Sequence, residues 1–169
     1  MSTQGAEIAN TTGDAPTMQC LAFQVGSEVF AIEIHTVREI IQYAGITMVP
    51  QMPTFVRGVV NLRGAVVPVI DVRARFSDLK STVGKRTSII VMDAVVAGER
   101  APLGLLVDAV TEVVAFTQQN IVVPPPFGTV IPKDFIRGMG KNGDEFLPII
   151  DPARAFDIEE MALLVEHDR

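Results

Sequence analysis

The sequence predicts a mainly β fold of two small five-stranded barrels packed together, with short helices and one C-terminal helix, and three observations predict it. The chain repeats itself: shifted by 80 positions, FVRG at 55–58 falls on FIRG at 135–138, PVID at 68–71 on PIID at 148–151, and Phe76 on Phe156, without a gap. A second offset, of 73, matches FAIEIHTVREII at 30–41 with LGLLVDAVTEVV at 103–114, sharing Val37/Val110 and Glu39/Glu112. Both copies also consist of short apolar runs broken by Gly- and Pro-bearing turns, which is strand grammar. Each copy, finally, holds about 70 residues and roughly five such runs, the size of a small closed barrel. A unit that small buries little core alone, so two copies share an apolar seam whose outer edge is a groove. The repeat cores span 30–76 and 103–156 within one domain of two intertwined subdomains, 17–169, and residues 1–16 read as a disordered tail.

In chain order, Leu21, Phe23 and Val25 share one strand face and Cys20 sits on the other. Gly26 and Ser27 turn the chain into a second strand, Val29 to Ile34, making a hairpin. Thr36, with Glu39 three residues on, has the spacing of a capping box over a short helix from Val37 to Ile41. Ile46 to Val49 is a short strand closed by Pro50. Two paired strands flank the turn between Gly58 and Gly64, and Pro68, which has no N–H to donate, places the second of them at a sheet edge or at its own start. A polar linker, Ser77 to Arg86, leads to three strand-like runs: Thr87 to Val95, Leu103 to Val107 and Val110 to Phe116. Ile121 to Pro132 is proline-rich and reads as an extended surface segment. From Asp157 onward, Ile158, Met161, Ala162 and Val165 fall on one helical face.

Asp71 and Asp151 resemble a carboxylate pair for acid–base chemistry, but each precedes a short helical pattern and Pro152 takes the first helical position, so both read as helix caps. His35 and His167 have no cysteine partner and no helical spacing, which argues against a metal site or a nucleophilic triad. A single cysteine, Cys20, makes no internal disulfide and points to a reducing compartment. No run of about 18 apolar residues indicates a membrane span. The net charge of -6 opposes a non-specific grip on nucleic acid, and with no Trp and one Tyr, stacking platforms are scarce. Charge is nevertheless uneven: from Arg57 to Arg86 seven basic residues stand against two acids. That stretch is either a solvated face or a docking patch for an acidic partner.

The stretch RGVVNLRGAVVPVIDVRARF, at 57–76, is similar to the signature of the bacterial chemotaxis coupling proteins, the CheW family. The FQVGSEVFAI opening, the TVREI segment, the entry from Pro50 to Gly58, the VPPPF segment and the closing EEMALL extend the resemblance over about Gln19 to Glu166. It implies two packed SH3-like barrels and a non-catalytic adaptor, without cofactor or metal, that joins the cytoplasmic tips of methyl-accepting chemoreceptors to the regulatory domain of a CheA-type histidine kinase. It implies a cytoplasmic protein that meets the membrane only through receptors. Receptor-binding positions carried over are Val37, Glu39, Gly58, Arg63, Ser88, Ile89 and Gly104, and Phe127 is carried over as a kinase-binding ring. The residues themselves also allow plainer roles: Val37 and Ile89 as core, Gly58 and Gly104 as backbone shape, Glu39 as a helix cap and Phe127 as a buried ring. An adaptor of a non-motility chemosensory system is one alternative, and a nucleic-acid-binding β-barrel is another from a different class. Arg63 stands out because the second copy replaces Asn61, Leu62, Arg63 and Gly64 with Lys141, Asn142, Gly143 and Asp144.

Overall fold

The structure, a computed structural model, describes residues 17–77, 79–96, 98–124 and 131–157. The tail at 1–16, Phe127 and the helix expected beyond Asp157 lie outside the described residues. The strands are β1 (Thr17–Val25), β2 (Glu28–Glu33), β3 (Val37–Gln42), β4 (Val56–Leu62), β5 (Ala65–Asp71), β6 (Ser88–Val96), β7 (Glu99–Val107), β8 (Ala109–Thr117), β9 (Ile121–Val122), β10 (Ile136–Asn142) and β11 (Glu145–Ile150). Helix α1 (Val72–Ser77) follows β5 and helix α2 (Pro152–Ala155) follows β11.

These strands form two sheets, a five-stranded one in the order β3-β6-β7-β5-β4 and a six-stranded one in the order β9-β10-β11-β2-β1-β8. Both curl, because the chain passes directly from one end of each order to the other. Only the 3₁₀ turn Gln118–Asn120 separates β8 from β9. In the five-stranded sheet, β3 leads on to Thr47, which exchanges hydrogen bonds with Val59 of β4 at 2.9 and 2.8 Å. That bridge draws the two ends of the five-stranded sheet together and leaves less of its edges open to a foreign strand.

The internal repeat reappears as register. Ala31 pairs in parallel with Ile149, and Gly104 pairs in parallel with Val69. These are the same contact under the offsets of 73 and 80 seen in the sequence, with the copies exchanged. Hairpin β1–β2 of the first copy therefore completes the sheet of the second, and β6–β7 of the second completes that of the first. The bulges repeat as well: the one between Val37 and Glu39 on β3 has its counterpart at Val110 and Glu112 on β8, and the one between Val56 and Gly58 on β4 has its counterpart at Ile136 and Gly138 on β10. Two copies exchanging hairpins in this way are related by a pseudo-twofold axis between the sheets.

Strand alternation builds three cores. Leu21, Phe23 and Val25 of β1 join Ile90, Met92 and Ala94 of β6 in the large cluster shared by the two sheets. The opposite faces fill the barrels: Cys20 and Ala22 pack with Phe116 and Ile149, and Ile89 and Val91 pack with Val69 and Leu106. Both β1 and β6 are buried on two faces, and each fully buried large aliphatic or aromatic side chain contributes on the order of 1.5–3 kcal/mol of transfer free energy.

Four expectations need correction. Val37–Ile41 is not a helix but most of β3, alternating half-buried and exposed. Its β-branched Val37, Ile40 and Ile41 suit a pleated surface, and the Thr36 hydroxyl donates to the Glu33 carbonyl at 2.7 Å, closing a 3₁₀ turn instead of capping. Ile46–Val49 contributes the single bridge Thr47–Val59 and no full strand. Pro68 lies in β5, an interior strand. It is tolerated because Val59, opposite it, spends its N–H on Thr47, so that rung exchanges no bonds, and pairing with β7 begins only at Val69. In the segment expected to lie on the surface, Val123 is exposed but Ile131 is buried in the shared core.

Candidate functional site: an ion pair on the five-stranded sheet

Arg63 is at the tip of the β4–β5 hairpin, where a two-residue turn needs left-handed backbone at both centres to match strand twist. Gly64 supplies one centre at φ 88° and Arg63 the other at φ 52°. The Asn61 side-chain oxygen accepts from the Gly64 N–H at 3.0 Å and locks the turn. Glycine adopts such a conformation freely and other L-residues only at a cost. At the aligned position the second copy does carry glycine, Gly143 at φ 66°.

What this backbone holds in place is a forked ion pair. Nη1 of Arg63 donates to Glu39 Oε1 at 3.3 Å, and Nη2 donates to Oε2. Glu39 stands on β3 just past the bulge, in register with Val91. Its hydrogen bonds, and next its charge, raise the guanidinium pKa above the ordinary value, so the site presents a permanent cation beside a carboxylate. The Arg63 side chain is 68% exposed. Exposed pairs of this kind add little to stability, so stability is a weak reason for accepting strained backbone here. The second copy has Glu112 and Gly143 at these positions and therefore lacks the cation.

All seven receptor-site candidates fall on the five-stranded sheet, but only some reach its surface. Val37 is half-buried against the shared core and pairs with Met92. Ser88, half-buried, opens β6 opposite Gln42, and its hydroxyl donates to the Arg86 carbonyl at 3.0 Å. It lies roughly 15 Å along β3 from Val37 at strand rise. Ile89 is 1% exposed, inside the barrel. Gly58 and Gly104 are buried, and an added Cβ on Gly104 would stand 2.8 Å from Cγ2 of Ile89. Val37, Glu39, Arg63 and Ser88 thus present atoms outward, and Gly58, Ile89 and Gly104 shape the sheet beneath. Glu39 caps no helix.

The basic stretch contributes less free charge than the sequence suggests. Arg57 is bound to Asp71 at 3.0 Å, Arg63 to Glu39, and Arg75 lies between aromatic rings, whereas Lys80, Lys85 and Arg86 remain exposed. A cleft of about 570 Å³ opens where the sheets meet, lined by Thr36, Met92 and Asp93 on one side and by Glu33, Arg137 and Asp151 on the other. None of the seven lines it, although Thr36 and Met92 adjoin Val37. Along its six-stranded side Arg137 donates to Glu33, which also bonds His35 at 2.8 Å. Sequence reading missed this cluster, although Arg137 was visible as the counterpart of Arg57. Among the described residues no group of His, Cys, Asp and Glu is placed to hold a metal ion, and no helix is long and apolar enough to cross a membrane.

Comparison with known proteins adds an independent finding. The family model described as the CheW-like domain matches residues 19–160. A chemotaxis protein CheW of Klebsiella aerogenes is 32% identical over 159 residues, covering 94% of this chain and 93% of the relative. A probable chemotaxis protein CheW of Rhizobium etli is 36% identical over 121 residues, covering 72% and 76%. Among solved structures, the scaffolding protein TtCheW from Thermoanaerobacter tengcongensis superposes with a TM-score of 0.72 at 32% identity, over 85% of this chain and 90% of that one.

Proposed function

Because this chain belongs to the CheW-like family, we propose that it is a non-catalytic adaptor of chemosensory signalling, coupling the cytoplasmic tips of chemoreceptors to the regulatory domain of a CheA-type histidine kinase. It works in the cytoplasm and is recruited to receptor arrays at the inner membrane. The observation that carries this reading is the Arg63–Glu39 pair, held by left-handed backbone in one copy of the repeat and absent from the other. Strain retained without a stability return marks a surface selected for contact. In this reading Val37, Glu39, Arg63 and Ser88 touch the receptor, Gly58, Ile89 and Gly104 support them, and Phe127 belongs to a separate kinase contact. Several such contacts, each weak, add up through effective concentration in an array.

Charge reversal at Arg63 is the direct test. Arg63→Asp is expected to weaken binding of a receptor cytoplasmic fragment by on the order of tenfold or more and to leave affinity for the kinase regulatory domain within about twofold. Arg63→Gly should lose the same binding with an unchanged or raised melting temperature, since glycine relaxes the turn. Receptor affinity equal to that of the parent in both folded variants refutes the assignment. Separately, Phe127→Ala should leave a one-to-one kinase complex intact and reduce larger assemblies with kinase and receptor in sedimentation velocity. Unaltered assembly size removes Phe127 from the interface.

A further inference from the structure

We propose that Arg75 fixes the orientation of the two sheets relative to each other, and so acts as a positioning residue for an adaptor that binds partners on both. Its functional meaning rests on the coupling role above, but its structural basis does not. Arg75 lies in α1, behind the five-stranded sheet. Its guanidinium carbon stands 5.2 Å from the ring centre of Phe55 and 4.8 Å from that of Phe135. Phe55 and Phe135 are the same position in the two copies, one just ahead of β4 and the other just ahead of β10. Nε of Arg75 donates at 2.9 Å to the carbonyl of Ala155, in α2 behind the six-stranded sheet. One side chain therefore grips the aromatic ring that leads into each sheet and a helix-end carbonyl, one of those left without a partner inside the helix.

The identity of Ala155 explains the asymmetry. Under the 80-residue offset Ala155 is the counterpart of Arg75 itself, so the arginine touches its own pseudo-equivalent and sits on the pseudo-twofold axis. Two guanidiniums meeting there would compete for one volume and repel. The second copy accordingly carries alanine, fully buried. The neighbouring equivalents Phe76 and Phe156 stack across the same axis at 5.9 Å and 26°. Apolar contact is non-directional and lets faces slide. A planar guanidinium between two rings, with a directed hydrogen bond at its edge, restricts rotation as well as separation.

The inference is tested on the full chain by distance measurement between nitroxide labels on Val66→Cys in β5 and Val113→Cys in β8, positions 67% and 57% exposed. Cys20 is buried and desolvation pushes its thiol up to about 11, so it stays unlabelled. The parent should give one narrow distance distribution. Arg75→Leu, which keeps bulk but no fork, should broaden it or shift it by on the order of 1–2 Å, the scale of packed elements sliding past one another. A folded Arg75→Leu that melts earlier yet keeps the parental distribution overturns the proposal, because Arg75 is then only a stabilising contact. If that variant does not fold, Arg75→Lys, which keeps the charge without the fork, decides by the same criterion. Distances are read without any partner, so they stand or fall apart from the Arg63 titrations.

Discussion

Replacing Asp71 by alanine is expected to lower the unfolding free energy by about 3–5 kcal/mol, whereas the same change at its repeat counterpart Asp151 should remove only about 1 kcal/mol. Asp71 ends the last strand of its copy and Asp151 directly follows the last strand of its own, and both bond an early helical N–H: Asp71 accepts from Ala74 at 3.2 Å and Asp151 from Ala153 at 3.1 Å. Their surroundings differ. Asp71 is fully buried and also accepts from Arg57 Nη1 at 3.0 Å and from the N–H and hydroxyl of Ser81, each at 2.8 Å. Arg57 donates in turn to the Ser81 carbonyl at 3.0 Å, so the trio fastens the linker between the copies to the end of β5. Alanine leaves a mostly buried guanidinium without its carboxylate and two Ser81 donors without an acceptor. The Asp151 side chain is 33% exposed, and its Arg154 neighbour stands 3.8 Å away in solvent. Urea melts of the two variants check this, and losses of equal size would show that Asp71 is no more than a cap.

The contrast also marks what a one-dimensional reading reaches. Capping by Asp71 and Asp151 was legible because a cap and its helix are neighbours in sequence. The clamp on Asp71 was not, because Arg57 and Ser81 approach only after β4 and β5 pair and the linker folds back. The repeat made the two-copy architecture legible, and its two offsets reappear as the parallel registers Ala31–Ile149 and Gly104–Val69, but nothing in it says that each copy lends a hairpin to the sheet of the other. Val37, Ile40 and Ile41 have the i, i+3, i+4 spacing of a helical face, and only pairing with β6 makes the segment a strand. Arg63 stands out in the sequence as a break in the repeat, yet nothing local pairs it with Glu39, 24 positions away. Arg75 looked like one more charge in a basic run, because nothing local reveals that Ala155 and Phe135 converge on it.

Gly58 carries the second large effect, through backbone alone. At φ 143° it occupies a region that disfavours any side chain, and an added Cβ would stand 2.0 Å from the Thr47 carbonyl oxygen and 2.8 Å from Cγ2 of Ile46. A backbone atom cannot yield as a side-chain tip can. Gly58→Ala must therefore break the Thr47–Val59 bridge that closes the five-stranded barrel, or twist β4, and a loss of about 3 kcal/mol or more is expected. The counterpart Gly138 has no such φ, and the nearest atom to its added Cβ is Cγ2 of Ile121 at 2.7 Å, so Gly138→Ala should cost about 1 kcal/mol as that side chain gives way. Amide hydrogen exchange separates the two ways in which Gly58→Ala can fail. Faster exchange confined to Thr47 and Val59 shows the bridge opening, whereas faster exchange throughout β4 and β5 shows the hairpin itself displaced. Either change displaces the hairpin that carries Arg63 relative to Glu39, so the receptor affinity proposed for that pair should fall although Gly58 itself is buried. Unchanged exchange at Thr47 and Val59 in a stable Gly58→Ala protein would mean that the bulge absorbs the methyl, and Gly58 would lose its role beneath the site.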